Sequence, residues 1–338
     1  RMGIITPVAN LEPVLLSGTI VKRASMHNAD IVEQLDIHEH DMLYVEKGGE
    51  IIPKITGVDK SQRKPGAEKV RFVTHCPSCG TPLVRNDGEA SWMCPNRYGC
   101  QPQITGRVEH FVGRRMMNID GIGEGVAQVL FDVGLVKNIA DLYDLKKDQL
   151  VVLERFGEKS ADRLLKGIED SKLVPFERVL YSLSIPFVGE TTAKKIARKV
   201  KSLDRLMQLS EDELCTIEDV GGVIAKSIIE YFASPINREI IERLRAAGLQ
   251  FEIAESEEQA ATDKLKGKTI VISGVFAKHS RDEYKNMIEQ NGGANAGSIS
   301  KKTSFVLAGD NMGPSKYEKA QALGVPIINE DQFLEMLQ

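Results

Sequence analysis

The sequence predicts a multidomain α+β chain. It begins with a small β-barrel over 1–72 and a four-cysteine metal module over 73–105. An all-α domain of helix–hairpin–helix units follows over 106–253, then a linker over 254–263 and an α/β unit with a parallel sheet over 264–338. Three observations predict this order. Four cysteines fall in two close pairs, a glycine-closed hairpin recurs four times at a near-constant period, and the last segment alternates strand and helix patterns.

Composition sets the frame. At 338 residues the chain has room for about two to four domains. Hydrophobic content of 42% and charged content of 27% are those of an ordinary globular protein. A net charge of −4 excludes a uniformly basic nucleic-acid binder. The charge is uneven, however. Residues 1–60 carry 6 basic and 9 acidic side chains, while 61–118 carry 9 and 4, so the metal segment stands at +5 against −9 for the rest. Local basic surface, not the total, decides phosphate binding. No apolar run approaches membrane-spanning length and no signal peptide is visible, so no membrane partner is expected. The chain opens at Arg1 and reads from there like the middle of a protein, so a fragment is expected.

The first segment reads as β. Short apolar runs at Pro13–Leu16, Thr19–Lys22, Met42–Val45, Glu50–Ile55 and Lys69–Val73 are separated by turns at Gly18, Gly48-Gly49 and Gly57. Asn28–Leu35 reads as one helix capped by Asp30. Five short strands and a helix suit an oligonucleotide-binding (OB) barrel; a small barrel without a ligand is the alternative.

The cysteines follow. Cys76-Pro-Ser-Cys79 is a knuckle that offers two thiolates from one turn, with Pro77 and Gly80 to fold it back. Cys94 and Cys100 make a wider C-x5-C pair after fourteen intervening residues, with Pro95 and Gly99 in the turn. Cys76, Cys79, Cys94 and Cys100 therefore predict a closed, structural zinc site, since four thiolates leave no open position for substrate. Two disulfides are the alternative; the confinement of cysteine to this segment and the leftover Cys215 favour the metal. Cys215 itself is expected to pack in a core.

The repeat carries the binding chemistry. Ile119-Asp120-Gly121-Ile122-Gly123, Leu153-Glu154-Arg155-Phe156-Gly157, Ile185-Pro186-Phe187-Val188-Gly189 and Ile217-Glu218-Asp219-Val220-Gly221 share one pattern, their last glycines 34, 32 and 32 residues apart. A fixed period of this size marks one supersecondary unit copied. Helical apolar spacing runs between the glycines, as in Ala193, Ile196, Ala197 and Val200. Glycine frees the backbone for positive φ and close approach. The unpartnered amides that open the next helix then form a small anion site. Repeated along one face, such sites hold DNA phosphates without reading bases. Gly121, Gly123, Gly157, Gly189 and Gly221 are the candidate contacts, with Lys159, Lys194, Lys195 and Lys226 behind them; Thr191–Lys201 holds five basic residues and no acid. Hairpins that only pack helices are the alternative. Arg155, Phe187 and Asp219 replace Gly121 in later copies, so some hairpins are expected to be structural only. Gly121-Ile122-Gly123-Glu124-Gly125 lacks a preceding strand and so does not read as dinucleotide binding.

Residues 254–263 are polar and acidic, a flexible linker. Beyond them, strands at Thr269–Ile272, Ala296–Ser298, Ser304–Leu307 and Pro326–Ile328 alternate with helices at Ser280–Gln290, Lys316–Leu323 and Glu330–Leu337, which predicts a parallel sheet.

The order of modules, with its local motifs, resembles the C-terminal half of bacterial NAD-dependent DNA ligases. Arg1-Met2-Gly3, Ile5-Thr6-Pro7-Val8-Ala9 and Leu11-Glu12-Pro13-Val14 are similar to the family's junction between adenylation domain and barrel. Ser25-Met26-His27-Asn28-Ala29-Asp30 and Gly48-Gly49-Glu50-Ile51-Ile52-Pro53 resemble its barrel signatures, and Thr74-His75-Cys76-Pro77-Ser78-Cys79-Gly80 its zinc entry. The last unit resembles a BRCT domain through Gly292-Gly293 and its closing helix, where Phe333 stands for the usual tryptophan. The resemblance implies a three-step reaction in the whole enzyme: a lysine takes AMP from NAD, passes it to the 5′ phosphate at a nick, and the 3′ hydroxyl displaces it, with Mg2+ assisting. That lysine belongs to a Lys-x-Asp-Gly motif, which this sequence does not contain; Arg85-Asn86-Asp87-Gly88 is close in letters, but arginine cannot be the adenylated amine. The lysine and the NAD pocket are expected upstream, and this chain is not expected to adenylate itself. It would supply the clamp on duplex and nicked DNA. The resemblance gives Arg1, His27 and Asn28 a part beside the nick, and Ser273, Gly274 and Lys316 a phosphate pocket. It further implies a cytoplasmic, nucleoid-associated monomer that works with its own adenylation domain. A non-catalytic repair scaffold or nuclease accessory module, built from the same parts, is the rival reading.

Overall fold

In a computed structural model of the protein, which describes residues 1–48, 52–154, 156–253 and 263–337, the turn Ser17-Gly18 takes left-handed backbone at both positions (φ 48° and 76°). It joins β2 (Val8–Leu16) to the antiparallel β3 (Thr19–Ser25). The helix α1 (Ala29–Leu35) follows, then β4 (Met42–Gly48) and β5 (Ile52–Asp59), giving the sheet order β2-β3-β5-β4. Ala24, Met26, Val32, Ile37 and Ile55 fill the core beneath it. Three expectations change here, the first being Gly57, expected in a turn, which lies inside β5 opposite Tyr44. The cap of α1 is Asn28, whose Oδ1 accepts from the Ile31 amide at 3.0 Å, and not Asp30. The fifth strand is reduced to a single antiparallel bridge between His38 and Lys69, made by the Val70 amide on the Ile37 carbonyl at 2.9 Å and the Glu39 amide on the Glu68 carbonyl at 2.8 Å. Gly49, Glu50 and Ile51 of the second barrel signature lie outside the described residues.

The leading strand leaves the barrel. β1 (Ile4–Ile5) pairs antiparallel with β6 (Trp92–Met93), inside the cysteine segment. Gly3 makes this crossing possible: its φ is +77°, and a Cβ there would stand 2.6 Å from the Cys94 carbonyl oxygen. Arg85 ties the segment to the barrel through a two-pronged pair with Asp30, at 2.8 and 2.7 Å. This is where Asp30 is used, and it holds that carboxyl below the usual range.

The helical part repeats as the glycines predict. The pairs are α2 (Gln101–Val112) with α3 (Glu124–Asp132), α4 (Lys147–Val151) with α5 (Glu158–Ser171), α6 (Phe176–Ser182) with α7 (Glu190–Val200), and, after α8 (Leu203–Gln208), α9 (Glu211–Cys215) with α10 (Gly222–Ala233). A last helix, α11 (Pro235–Ala246), is latched to the first repeats by Arg243, which donates to Asp141 at 2.7 Å and Asp144 at 2.5 Å. Ala127, Ala161, Ala193 and Ala225 stand four residues after each closing glycine and are all buried, so each second helix packs close at its first turn. Cys215 ends α9 exposed, not in a core. Its neighbour Leu214 takes the inward position instead.

Residues 253–338 form a second unit. β7 (Thr269–Ser273), α12 (Arg281–Gln290), β8 (Ala294–Ala296), β9 (Phe305–Ala308), α13 (Pro314–Leu323), β10 (Ile327–Ile328) and α14 (Glu330–Glu335) make a sheet of order β10-β9-β7-β8, parallel throughout. β8 lies two residues earlier than expected, because the Asn295 amide docks it onto α12 through the Lys285 carbonyl and Glu289, each at 3.0 Å. Most of the expected linker, 254–262, lies outside the described residues. Phe333 is fully buried against Tyr284 and Phe305, the place the closing helix reserves for a large aromatic. Phe333→Ala is expected to cost about 3–5 kcal/mol, read as a lower denaturation midpoint of this unit in urea.

Candidate metal centre and nucleic-acid interface

The four cysteines converge. One ligand sulfur from each of Cys76, Cys79, Cys94 and Cys100 lies within 4.8 Å of the others, with Cys79 Sγ 3.5 Å from Cys94 Sγ and Cys76 Sγ 3.9 Å from Cys100 Sγ. Tetrahedral Zn–S bonds of about 2.3 Å require sulfurs about 3.8 Å apart. The donor set therefore fits structural zinc, and no disulfide forms among these cysteines. Burial pushes the Cys94 thiol up to about 12 and raises Cys100 also, while hydrogen bonds from Thr81 draw Cys79 down to about 6. Buried thiolates of this kind need a cation beside them. The surroundings are fixed as well: the buried Gln103 amide donates to the Cys94 carbonyl at 3.0 Å, and the Cys94 amide to the Gly3 carbonyl at 2.8 Å.

The wide spacing of the second pair has a structural reason. The loop between Cys94 and Cys100 carries Arg97 and Tyr98 into the helical repeats. Arg97 Nη2 donates to the Ser184 carbonyl at 3.1 Å, at the base of the third hairpin, and the Tyr98 hydroxyl donates to Asn237 at 2.9 Å on α11. Cys100 is itself the N-cap of α2. One metal thus fixes the leading strand, the loop and the first repeat helix.

The hairpins share one backbone. Gly121, Phe187 and Asp219 occupy equivalent positions with φ of +101°, +63° and +65°; the fourth equivalent, Arg155, lies outside the described residues. The flanking apolar pairs Ile119/Ile122, Ile185/Val188 and Ile217/Val220 point inward. The closing glycines behave differently from the expectation of positive φ. Gly123, Gly157, Gly189 and Gly221 are extended N-caps, with φ of −106°, −104°, −87° and −94°. A Cβ on any of them would meet nothing within 4 Å. The fold therefore places no demand for glycine at four equivalent helix starts, and what the glycines provide is open space outside the backbone. Glutamates open three of these helices, and two of them are drawn aside: Glu158 pairs with Lys147 at 3.2 Å and Glu190 with Arg115 at 3.2 Å.

Family models match five stretches of the chain. Residues 1–67 match the NAD-dependent DNA ligase OB-fold domain, and 75–101 the NAD-dependent DNA ligase C4 zinc finger domain. Residues 113–170 match a SAM-like helix-hairpin-helix tandem, 178–241 a helix-hairpin-helix motif, and 261–337 a BRCA1 C Terminus (BRCT) domain. The chain carries the OB-fold and C4 zinc finger domains of NAD-dependent DNA ligases. It is 60% identical over its whole length to a DNA ligase of Phocaeicola vulgatus and 56% identical to those of Bacteroides fragilis and Parabacteroides distasonis. It spans about half the length of these relatives, 51% in each case.

The remaining residues picked from sequence sit on this ligase framework as follows. Lys159 and Lys226 are exposed beside their hairpins, and Lys194 is half-buried on α7. Lys195 is held by Glu218 at 2.8 Å and Asp219 at 2.5 Å, so it braces the third repeat against the fourth. His27 is exposed with left-handed backbone (φ 59°), and Asn28 spends its side-chain oxygen on the α1 cap. Arg1 lies against α2 and contacts Nδ1 of the buried His110, whose Nε2 stands 3.1 Å from the Tyr181 carbonyl. An arginine donor at Nδ1 leaves the proton on Nε2, and burial, ahead of the Arg1 charge, lowers this histidine to about 4. Ser273, Gly274 and Lys316 meet at the end of β7. Ser273 is buried, and Lys316 Nζ is 3.5 Å from the neighbouring Ile272 carbonyl. Gly274 has φ +102°, and a Cβ there would fall 2.6 Å from the Gly309 carbonyl, so this glycine is required by the fold. Sequence reasoning passed over Arg114 and Arg115, exposed just before the first hairpin; two adjacent arginines in the basic segment were the available signal.

Proposed function

We propose that this chain grips duplex DNA around a nick for a DNA ligase that uses NAD and Mg2+ in its nucleotidyl-transfer steps. The observation that carries the reading is the set of four extended, unencumbered N-cap glycines. At each, helix-start amides stand without intrahelical partners behind a backbone that a phosphate oxygen can approach. Gly121, Gly123, Gly157, Gly189 and Gly221 shape these contacts, Lys159, Lys194 and Lys226 add charge, and Lys195 sets the angle between the last two repeats. Zinc holds the loop that joins them to the barrel, from which His27 and Asn28 face the nick, with Arg1 joining them from the start of the leading strand, against α2. Ser273, Gly274 and Lys316 take a terminal or backbone phosphate, with a hydroxyl, an amide and a lysine as donors. The adenylated lysine lies in an adenylation domain that works with this chain, as a monomer associated with the nucleoid.

Fluorescence anisotropy against nicked and continuous duplexes at two salt concentrations tests this. Salt-sensitive binding to both, with preference for the nick, is the expected result. Salt-sensitive binding with no preference would return the barrel's part in nick sensing to the adenylation domain. No binding to either duplex would end the assignment of the hairpins to DNA.

A further inference from the structure

Two arginines meet, without a carboxylate, where the zinc loop enters the helical repeats. Arg107 on α2 donates from Nη2 to the Arg97 carbonyl at 2.6 Å, and its guanidinium lies 5.8 Å from the centre of the Tyr98 ring. Arg97 donates to the Ser184 carbonyl at 3.1 Å and lies 5.6 Å from the centre of the Tyr231 ring. Among the described residues neither arginine has an acidic partner. A guanidinium remains protonated inside a protein, so burial does not discharge Arg107, while Arg97 beside it is half-buried. Burial first, and then the charge of Arg97, lowers Arg107 to about 10. Carbonyl dipoles and aromatic faces offset part of this, but uncompensated buried charge is costly.

Two polar atoms are left over in the same place. Arg107 Nη1 and Ser184 Oγ are buried with no hydrogen-bond partner. Both residues line one cavity of about 20 Å3, together with Arg97, Tyr98, Tyr231 and Asn237. That volume takes one small occupant and no polyatomic anion. The occupant must accept from a guanidinium N–H and can accept from a hydroxyl. Water would answer the hydrogen bonds and leave the desolvated charge of Arg107 uncompensated. A monovalent halide answers both.

We propose that this cavity is a halide site, filled by chloride in chloride-containing solution. The ion accepts from Arg107 Nη1 and Ser184 Oγ, neutralises part of the Arg97–Arg107 charge, and ties the loop between Cys94 and Cys100 to the base of the third hairpin. It therefore acts on the joint between zinc and helices whether or not the hairpins bind DNA.

The test uses the zinc-loaded chain. Crystals grown or soaked in bromide should give an anomalous peak between Arg107 and Ser184. In solution, exchanging glutamate for chloride at fixed ionic strength should raise the melting temperature by about 3–6 °C per tenfold chloride above Kd. Ser184→Gly suits the left-handed backbone there (φ 55°) and removes one donor. It should shift the chloride dependence at least several-fold to higher concentration, and Arg107→Met should abolish it. A cavity without a bromide peak overturns the proposal. So does a chloride response that both variants keep unchanged, which would place the ion elsewhere. Should a variant fail to fold, the bromide map of the unaltered chain decides alone.

Discussion

Cys94→Ala should leave the protein without its zinc, and the effect should reach well beyond the cysteine segment. Apparent binding free energies for structural zinc are about 10–16 kcal/mol at neutral pH, and this energy is folding energy where the site does not preform. Here Cys76, Cys94 and Cys100 are buried in a cluster whose apolar support is only Leu83 with Ile5, Phe72 and Trp92 around it. A core of that size does not hold without the metal. Cys100 caps α2, Arg97 and Tyr98 reach the third hairpin and α11, and the Cys94 amide fixes Gly3. Loss of zinc should therefore free the leading strand and the loop, lower the melting temperature of residues 1–252, and weaken duplex binding although no residue facing DNA has been altered. Elemental analysis should find about one zinc per unaltered chain and none in the variant. A native, metal-free protein with an unchanged melt would refute the metal assignment and the coupling together.

How far these features could be read from sequence depends on how local their causes are. The zinc ligands are legible because knuckle spacing is set by one turn. The repeat is legible because glycine marks a backbone position and the period copies it. The parallel sheet is legible because its two central strands are buried and two of its three helices carry their own side-chain caps, Ser280 and Asn329. What was not legible depends on partners far along the chain. Asn28 and Asp30 are equally good caps in one dimension; only the arrival of Arg85 assigns Asp30 elsewhere. Lys195 reads as a free cation until Glu218 and Asp219 fold beside it. Lys69–Val73 has strand composition, yet among the described residues it pairs only through the bridge of Lys69 to His38. Cys215 looked like core because cysteine usually is, yet a five-residue helix buries only Leu214. The closing glycines do not take the positive φ that glycine suggests: that backbone belongs to Gly121, Phe187 and Asp219, two residues earlier.

That last point yields a sharp separation of stability from binding. Gly189→Ser with Gly221→Ser should leave the fold intact. The backbone at both is extended, a Cβ meets nothing within 4 Å, and serine is at least as good an N-cap as glycine, better by a few tenths of a kcal/mol. The melting temperature should stay level or rise slightly. Duplex affinity should nevertheless fall about tenfold, or about 1.4 kcal/mol, because the new side chains occupy the approach to the helix-start amides and can bond them in place of a phosphate. Lys159→Ala with Lys226→Ala should act by charge instead. The slope of log affinity against log salt should flatten by about 0.9 for each phosphate no longer neutralised, with all sequences weakened alike. Lys195→Ala should flatten it less, since Glu218 and Asp219 already neutralise that amine. If the glycine pair melts as the unaltered protein does and binds DNA equally well, the open N-caps are not phosphate sites. The hairpins would then be packing elements, whatever the lysines do.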